Sequence, residues 1–341
     1  MKFNFYCDYN VGGHPDILTS LATYTYEANI PYGLDEHSSH ATKLIREVCN
    51  NQNLEVYYLS GGTQVNLTFL SHVLQPYESV IACETGHINV HETGAIEATG
   101  HKVNAVKGVN GKMTPEVIEK CVLFHADEHM VLPRVVFISH PSELGTIYSL
   151  NELKELRAIC DKYQLYLYLD GARLSCALSA KDSDVTLVDI ANLCDAFYIG
   201  GNKCGALFGE ALVISNPSFN SHFRNAIKQK GAMLAKGFLI GMQYEVLFKD
   251  NLYFKLGAHQ DETAQTIKKA FVEKGIELFQ DNPTNQIFPI LTKKQYDKLA
   301  EDYEFSLWEK ISDDKIVTRF VTSWATQNIA VSALVNSIQN L

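Results

Sequence analysis

Leu165-Tyr166-Leu167-Tyr168-Leu169-Asp170-Gly171-Ala172-Arg173 is followed, after a polar interval, by Ala196-Phe197-Tyr198-Ile199-Gly200-Gly201-Asn202-Lys203. Each run opens with five or so apolar or aromatic residues, too few for a helix and right for a buried strand. Each then turns polar at once, the first to Asp170 and Arg173, the second to Lys203. Ligands of open α/β sheets bind where strands end, so these three side chains mark a candidate site. An acid one strand away from an amine suits pyridoxal phosphate (PLP), in which a lysine holds the aldehyde carbon and a carboxylate keeps the ring nitrogen protonated. Taken singly, each residue has a plainer reading, the Asp as a helix cap and the Lys as a solvated loop residue.

Outward from this pair, the chain alternates strand and helix. Strands are expected at Glu55–Leu59, Ser79–Cys83, His101–Val106, Val135–Ser139 and Ala211–Ile214. Helices are expected over 41–50, ahead of the first strand, and between the strands from Gln64 to Leu74, after His87 through Ala98, from Pro115 and from Leu150 to Tyr163. Gly100 suits a helix C-terminus and Pro115 a first turn. The alternation predicts a mainly parallel sheet of seven strands covered on both faces. Residues 218–250 read as helical, 252–274 as one long helix, and Asn285–Ile290 and Ile316–Val321 as strands of a smaller unit closed by a terminal helix. The expected division is an N-terminal arm and large domain over 1–250 and a small α+β domain over 251–341.

Bulk properties narrow the function. With 341 residues, 46% of them hydrophobic, the chain has enough apolar surface for a full core. A net charge of -10 disfavours contact with nucleic acid. No apolar run has membrane-spanning length, and the first residues lack the apolar segment of a signal peptide. Cys7, Cys49, Cys83, Cys121, Cys160, Cys176, Cys194 and Cys204 form no Cys-x-x-Cys pair, and they read as reduced thiols of a cytoplasmic enzyme.

Several motifs carry chemistry. Ser60-Gly61-Gly62-Thr63-Gln64 joins a strand to a helix, and glycines at a helix N-terminus admit phosphate. Its likeness to the signature of ABC-type ATPases lacks the required Walker A motif, and no G-x-G-x-x-G follows a strand. His87 and His91, like His125 and His129, stand four apart, yet no third ligand follows at a telling distance, so no metal site is assigned. Beside a pyridine ring, the His87 imidazole could instead stack. Arg319 lies within an apolar strand, where a guanidinium needs an anion, either a substrate carboxylate or an internal carboxylate. Lys228 and Lys230 form a small basic cluster that suits phosphate or solvent.

Those residues together carry a family likeness. Cys7-Asp8 with Gly13-His14-Pro15, Tyr32-Gly33-x-Asp35, Ser60-Gly61-Gly62-Thr63-x-x-Asn66, Gly86-His87-Ile88 with Glu92-x-Gly94-Ala95, Asp170-Gly171-Ala172-Arg173, Lys203 and Thr318-Arg319-x-Val321-Thr322 span almost the whole chain. The chain resembles the PLP-dependent threonine aldolases of the β-eliminating lyase superfamily, of PLP fold type I. The resemblance implies retro-aldol cleavage of L-threonine, L-allo-threonine or a related β-hydroxy-α-amino acid to glycine and an aldehyde. It implies Lys203 as the Schiff-base lysine, Asp170 on the ring nitrogen, His87 on the ring face, and Gly61, Gly62 and Thr63 on the phosphate. Arg319 and Cys7 would meet the substrate carboxylate, and Arg173 would meet that carboxylate or the cofactor. His87, His129 or a water they hold would take the hydroxyl proton. Members of this family are homodimers or homotetramers with sites at subunit interfaces, where Lys228 and Lys230 would reach a neighbour's phosphate. The chain departs from the family at Cys7 and Asn202, where serine is usual, at His140-Pro141-Ser142, and at Leu234, where many members carry arginine. The rivals are β-elimination, transamination or racemisation on the same scaffold, and a non-catalytic PLP- or metal-binding module.

Overall fold

The computed structural model describes residues 2–341. Seven strands form the main sheet: β1 (Glu55–Leu59), β2 (Glu78–Cys83), β3 (Lys102–Val106), β4 (Leu132–Ser139), β5 (Tyr166–Asp170), β6 (Ala196–Gly200) and β7 (Glu210–Ile214). They lie in the order β1-β7-β6-β5-β4-β2-β3. All run parallel except β7, which is antiparallel to both of its neighbours.

The alternation of side chains explains why so apolar a set of strands forms one sheet. Leu167 and Leu169 of β5 and Phe197 and Ile199 of β6 face one helical layer, and all are fully buried. Tyr168, Ala196 and Tyr198 face the other layer and are at most 1% exposed. A sheet covered on both faces needs apolar residues at every position, which produces continuous runs in place of the in–out alternation of a half-exposed sheet.

Two expected helices differ. The helix expected from His87 through Ala98 is a single turn, His87–Val90, and a separate 3-10 turn follows at Glu97–Thr99. Thr93 and Gly94 between them have φ of 51° and 72°, a left-handed step that no α-helix carries through. The stretch 218–250 is likewise broken, into helices Phe223–Gln229 and Phe238–Phe248 with Gly231 at φ 70° between them. The capping box of Ser149 and Glu152 starts its helix at Leu150 as expected.

The smaller unit contains an antiparallel sheet of β8 (Leu278–Gln280), β9 (Gln286–Thr292), β10 (Ser306–Lys310) and β11 (Lys315–Val321), in the order β10-β11-β9-β8. Strand β10 lies outside the expected strands, because Glu309 and Lys310 interrupt its apolar pattern. The helix Leu252–Glu273 joins the two units. Tyr253 and Leu256 pack into the large core, while Ala264, Ile267 and Phe271 pack into the small one. The N-terminal segment also crosses over. Phe3–Asn4 pairs with Tyr303–Glu304, and Phe5 is fully buried among the small-domain side chains. No described helix is long and apolar enough to cross a membrane.

Candidate active site

The ends of the strands bring the site together. Ser139 is in register with Asp170 at the end of β5, and Gly200 of β6 is in register with Glu210. Because β7 runs opposite to its neighbours, its first residue, Glu210, lies at the edge where the parallel strands finish. Leu59, at the end of β1, is also paired with Glu210. Over this edge opens a cleft of 430 Å³ lined by Tyr9, Gly62, Thr63, His87, His91, Glu143, Arg173, Tyr198, Asn202, Lys203, Glu210, Gln286, Trp308 and Arg319, among others.

Asp170 lies next to the cleft lining, only 4% exposed and bonded to Tyr198 and Ala172, which line it. The Tyr198 hydroxyl donates to its Oδ1 at 2.5 Å, the Ala172 N–H donates to the same oxygen at 3.0 Å, and Asn66 Nδ2 donates to Oδ2 at 3.2 Å. Asn66 is in turn fixed by the Tyr168 hydroxyl at 2.9 Å and by Glu92 at 2.8 Å. Gly171 permits the turn that follows, since a Cβ there would stand 2.0 Å from the Tyr198 carbonyl oxygen.

Lys203 forms no ion pair among the described residues, and its Nζ lies 5.8 Å from the centre of the Tyr9 ring. Burial, and next the Arg173 guanidinium, hold its ammonium below the usual lysine range. His87 Nδ1 lies 2.7 Å from Glu92 Oε1, and the His87 N–H donates to Glu143 at 2.9 Å. Glu143 also accepts from the Ser139 hydroxyl at 2.7 Å, and burial pushes its carboxyl up. His91 lies beside His87, with ring centres 5.6 Å apart. Burial and then the positive groups around it lower the pKa of His91, which favours the neutral imidazole.

The helix Gly62–Val73 begins at the cleft. Its N-cap, Gly61, has extended backbone and offers no side-chain cap, so the first N–H groups of the helix are open to a ligand.

The two arginines differ in their partners. Arg173 is engaged, its Nε and Nη2 donating to the two oxygens of the buried Asp8 at 2.6 and 3.0 Å. Arg319, on β11, faces away from the small-domain core that its neighbour Phe320 enters. It has no carboxylate partner among the described residues. Its Nη1 reaches Gln286 Oε1 at 3.4 Å, its buried Nε has no acceptor among the described residues, and its guanidinium lies 5.3 Å from the Trp308 ring.

Besides Asp170, five candidate residues singled out in the sequence do not line this cleft. His129 is on the surface, its side chain 84% exposed and bonded to Asp127 at 2.7 Å. Cys7 is buried at 6% exposure. Lys228 lies 4.9 Å from the Tyr32 ring in a separate surface pocket with Arg224, and Lys230 ends the helix Phe223–Gln229. Gly61 supplies the helix cap without lining the cleft. Conversely, Glu143, Glu210, Gln286, Trp308 and Tyr9 line the cleft without having been picked out. A glutamate opening a buried strand, Glu210-Ala211-Leu212-Val213-Ile214, was a readable signal for one of them. A larger cleft, 670 Å³, lies between Ser179, Asp261 and Asn282, but it has neither an amine at a strand end nor an unpaired guanidinium.

A mainly parallel seven-stranded sheet with a small C-terminal unit and a lysine site at its strand ends is the architecture of PLP fold type I. It is shared with an aspartate aminotransferase of Thermus thermophilus, at 10% identity and a TM-score of 0.73 over 99% of this chain and 91% of that one. The beta-eliminating lyase family model matches residues 15–294, and the chain belongs to that family. It is similar to a threonine aldolase of Leishmania major, with 44% identity, a TM-score of 0.98 and 99% of each chain covered. A low specificity L-threonine aldolase of Pseudomonas sp. strain NCIMB 10558 is 29% identical over 311 residues, 90% of this chain and 89% of that protein.

Proposed function

We propose that this protein is an aldehyde-lyase that cleaves L-threonine, L-allo-threonine and related β-hydroxy-α-amino acids to glycine and an aldehyde, with PLP as its cofactor. One observation carries the reading: an unpaired lysine amine and an unpaired, largely buried guanidinium line a single cleft above a buried carboxylate.

The residues fit PLP. Asp170, held by three donors, offers a carboxylate to a protonated ring nitrogen. Lys203 offers the amine, and Gly62 and Thr63 at the bare helix N-terminus offer N–H groups and a hydroxyl to the phosphate. His87, tethered by Glu92, would stack on the ring. When bound, PLP supplies an electron sink for the pair left on Cα as the Cα–Cβ bond breaks.

The chain's own residues do the rest. Arg319 holds the substrate carboxylate by a planar fork, which fixes which bond at Cα stands ready to break. The β-hydroxyl proton needs an acceptor. With Nδ1 of His87 donating to Glu92, Nε2 of the neutral ring carries the lone pair, and the neutral His91 stands beside it. Lys228 and Lys230 would serve a partner subunit's phosphate in a homodimer or homotetramer. That assembly is supported by the exposed Tyr26, Ile30 and Leu34 of the N-terminal segment. Eight cysteines without a disulfide suit a cytoplasmic setting.

The test is direct. Purified protein with PLP should absorb in the visible range, and L-threonine or L-allo-threonine should give equal amounts of aldehyde and glycine. Ammonia with a keto acid instead would move the chemistry to elimination. A Lys203→Ala variant that kept the visible band would sink the assignment of the lysine.

A further inference from the structure

Glu210 is a buried carboxylate that the reaction described above does not use. It opens β7, is 4% exposed, and lines the cleft together with Lys203. Register places it opposite Gly200, so its side chain meets the turn that carries the lysine. Its Oε2 accepts the Gly201 N–H at 2.7 Å, and the Asn202 N–H also favours its charged form. The two residues before Lys203 are therefore tied to one carboxylate on the antiparallel strand. A serine or alanine at the same place would leave the Gly201 N–H facing a buried gap.

We propose that Glu210 is a positioning residue that sets the proton affinity of Lys203, holding the 201–203 turn through its backbone and acting on the amine through its charge. The groups facing the pair are Asp170 on β5, Arg173 after it, Asp8 on the N-terminal segment, and the phenols of Tyr198 and Tyr244. Asp8 and Arg173 neutralise each other in their bidentate pair, and Asp170 is held by its own donors. Glu210 joins Asp8 and Asp170 in favouring the charged form of Lys203, and of the three it is the one bonded to the turn that carries the lysine. Burial pushes its carboxyl above the usual range, against the pull of the Gly201 and Asn202 N–H groups and of the Lys203 ammonium, which favour the ionised form. An ionised Glu210 favours the protonated nitrogen at Lys203, whether ammonium or bonded to PLP. Removing the charge lowers the pH at which that proton leaves. The proposal rests on the proposed function only for the identity of the group that Lys203 joins.

Glu210→Gln keeps the size of the side chain and an oxygen for the Gly201 N–H while removing the charge. In the PLP-loaded enzyme, the pH midpoint of the visible band should fall by about one unit, within the range for a near opposite charge in a buried site. In the full chain without PLP, the pH dependence of Lys203 acetylation, read by mass spectrometry of its peptide, should shift the same way. Glu210→Ser, the same charge change in a different shape, should reproduce the fall. A Gln or Ser variant with wild-type midpoints, or with raised ones, overturns the proposal. Weakened PLP retention without a shift would assign Glu210 a structural role only and also overturn it. If wild-type protein acquires no visible band, the PLP reading fails, and the acetylation profile still decides the role of Glu210.

Discussion

Arg173 and Arg319 carry the same charge into the same cleft, and only their partners separate their roles. Arg173 is spent on Asp8, whose carboxyl it holds below the usual range against the pull of burial. Replacing it by Gln strands a fully buried carboxylate, so Arg173→Gln should lower stability by about 3 kcal/mol or more, read by denaturant unfolding. Arg319 has no such internal duty. Arg319→Gln should leave the unfolding midpoint nearly unchanged and raise KM for the amino acid by about 100-fold, the value of a charged bidentate contact. Equal effects of the two substitutions on stability would contradict the division of roles drawn here. Composition and spacing could not make this distinction. Both arginines read as anion seekers, and Asp8 lies 165 positions from Arg173 in the chain.

At the scale of elements, the loop after β4 shows how burial governs a titration. His140 is fully buried, its Nδ1 accepting from the Tyr148 N–H at 3.3 Å and its Nε2 without a partner among the described residues. Burial pulls its pKa down to about 4, against about 6.5 in an unfolded chain. Between those values the unfolded chain binds the extra proton, so stability falls as pH drops from about 6.5 towards 4. That window should cost about 3 kcal/mol in wild type. His140→Asn, which keeps an acceptor near Nδ1 and cannot take up a proton, should lose that part of the acid sensitivity. Unfolding free energies at pH 7 and pH 4.5 for both proteins measure the difference, and parallel losses would refute it. The strands around this loop were legible because burial on both sheet faces forces continuous apolar runs. The helix after His87 was not, because Thr93 gives no advance sign of its left-handed backbone.

Across the whole molecule, the small unit delivers Arg319, Gln286 and Trp308 to a cleft whose other walls belong to the large sheet. The segment before β9 holds the two units together. Asn282 Nδ2 donates to the Leu144 carbonyl at 3.0 Å and the Thr284 hydroxyl to the Gly145 carbonyl at 2.8 Å, just beyond Glu143. Thr284→Val leaves the Gly145 carbonyl without that donor. It should cost about 1–2 kcal/mol of stability. Because the same segment leads directly to Gln286, KM should rise more than kcat falls, as steady-state kinetics with L-threonine would show. A kcat loss with unchanged KM would place the effect elsewhere.

Local sequence was enough for the alternation of strands and helices, the lysine and aspartate at adjoining strand ends, and the glycine-rich helix start. Each depends on residues a few positions apart, where periodicity and turn chemistry act. Only the tertiary structure decided which charges are already paired. It brought Glu210 to the edge where the other strands end by reversing β7, and it left His129 on the surface while His91 entered the cleft. Pairing and burial arise between segments far apart in the chain, and a charge buried with a partner carries the same letter in the sequence as one buried without.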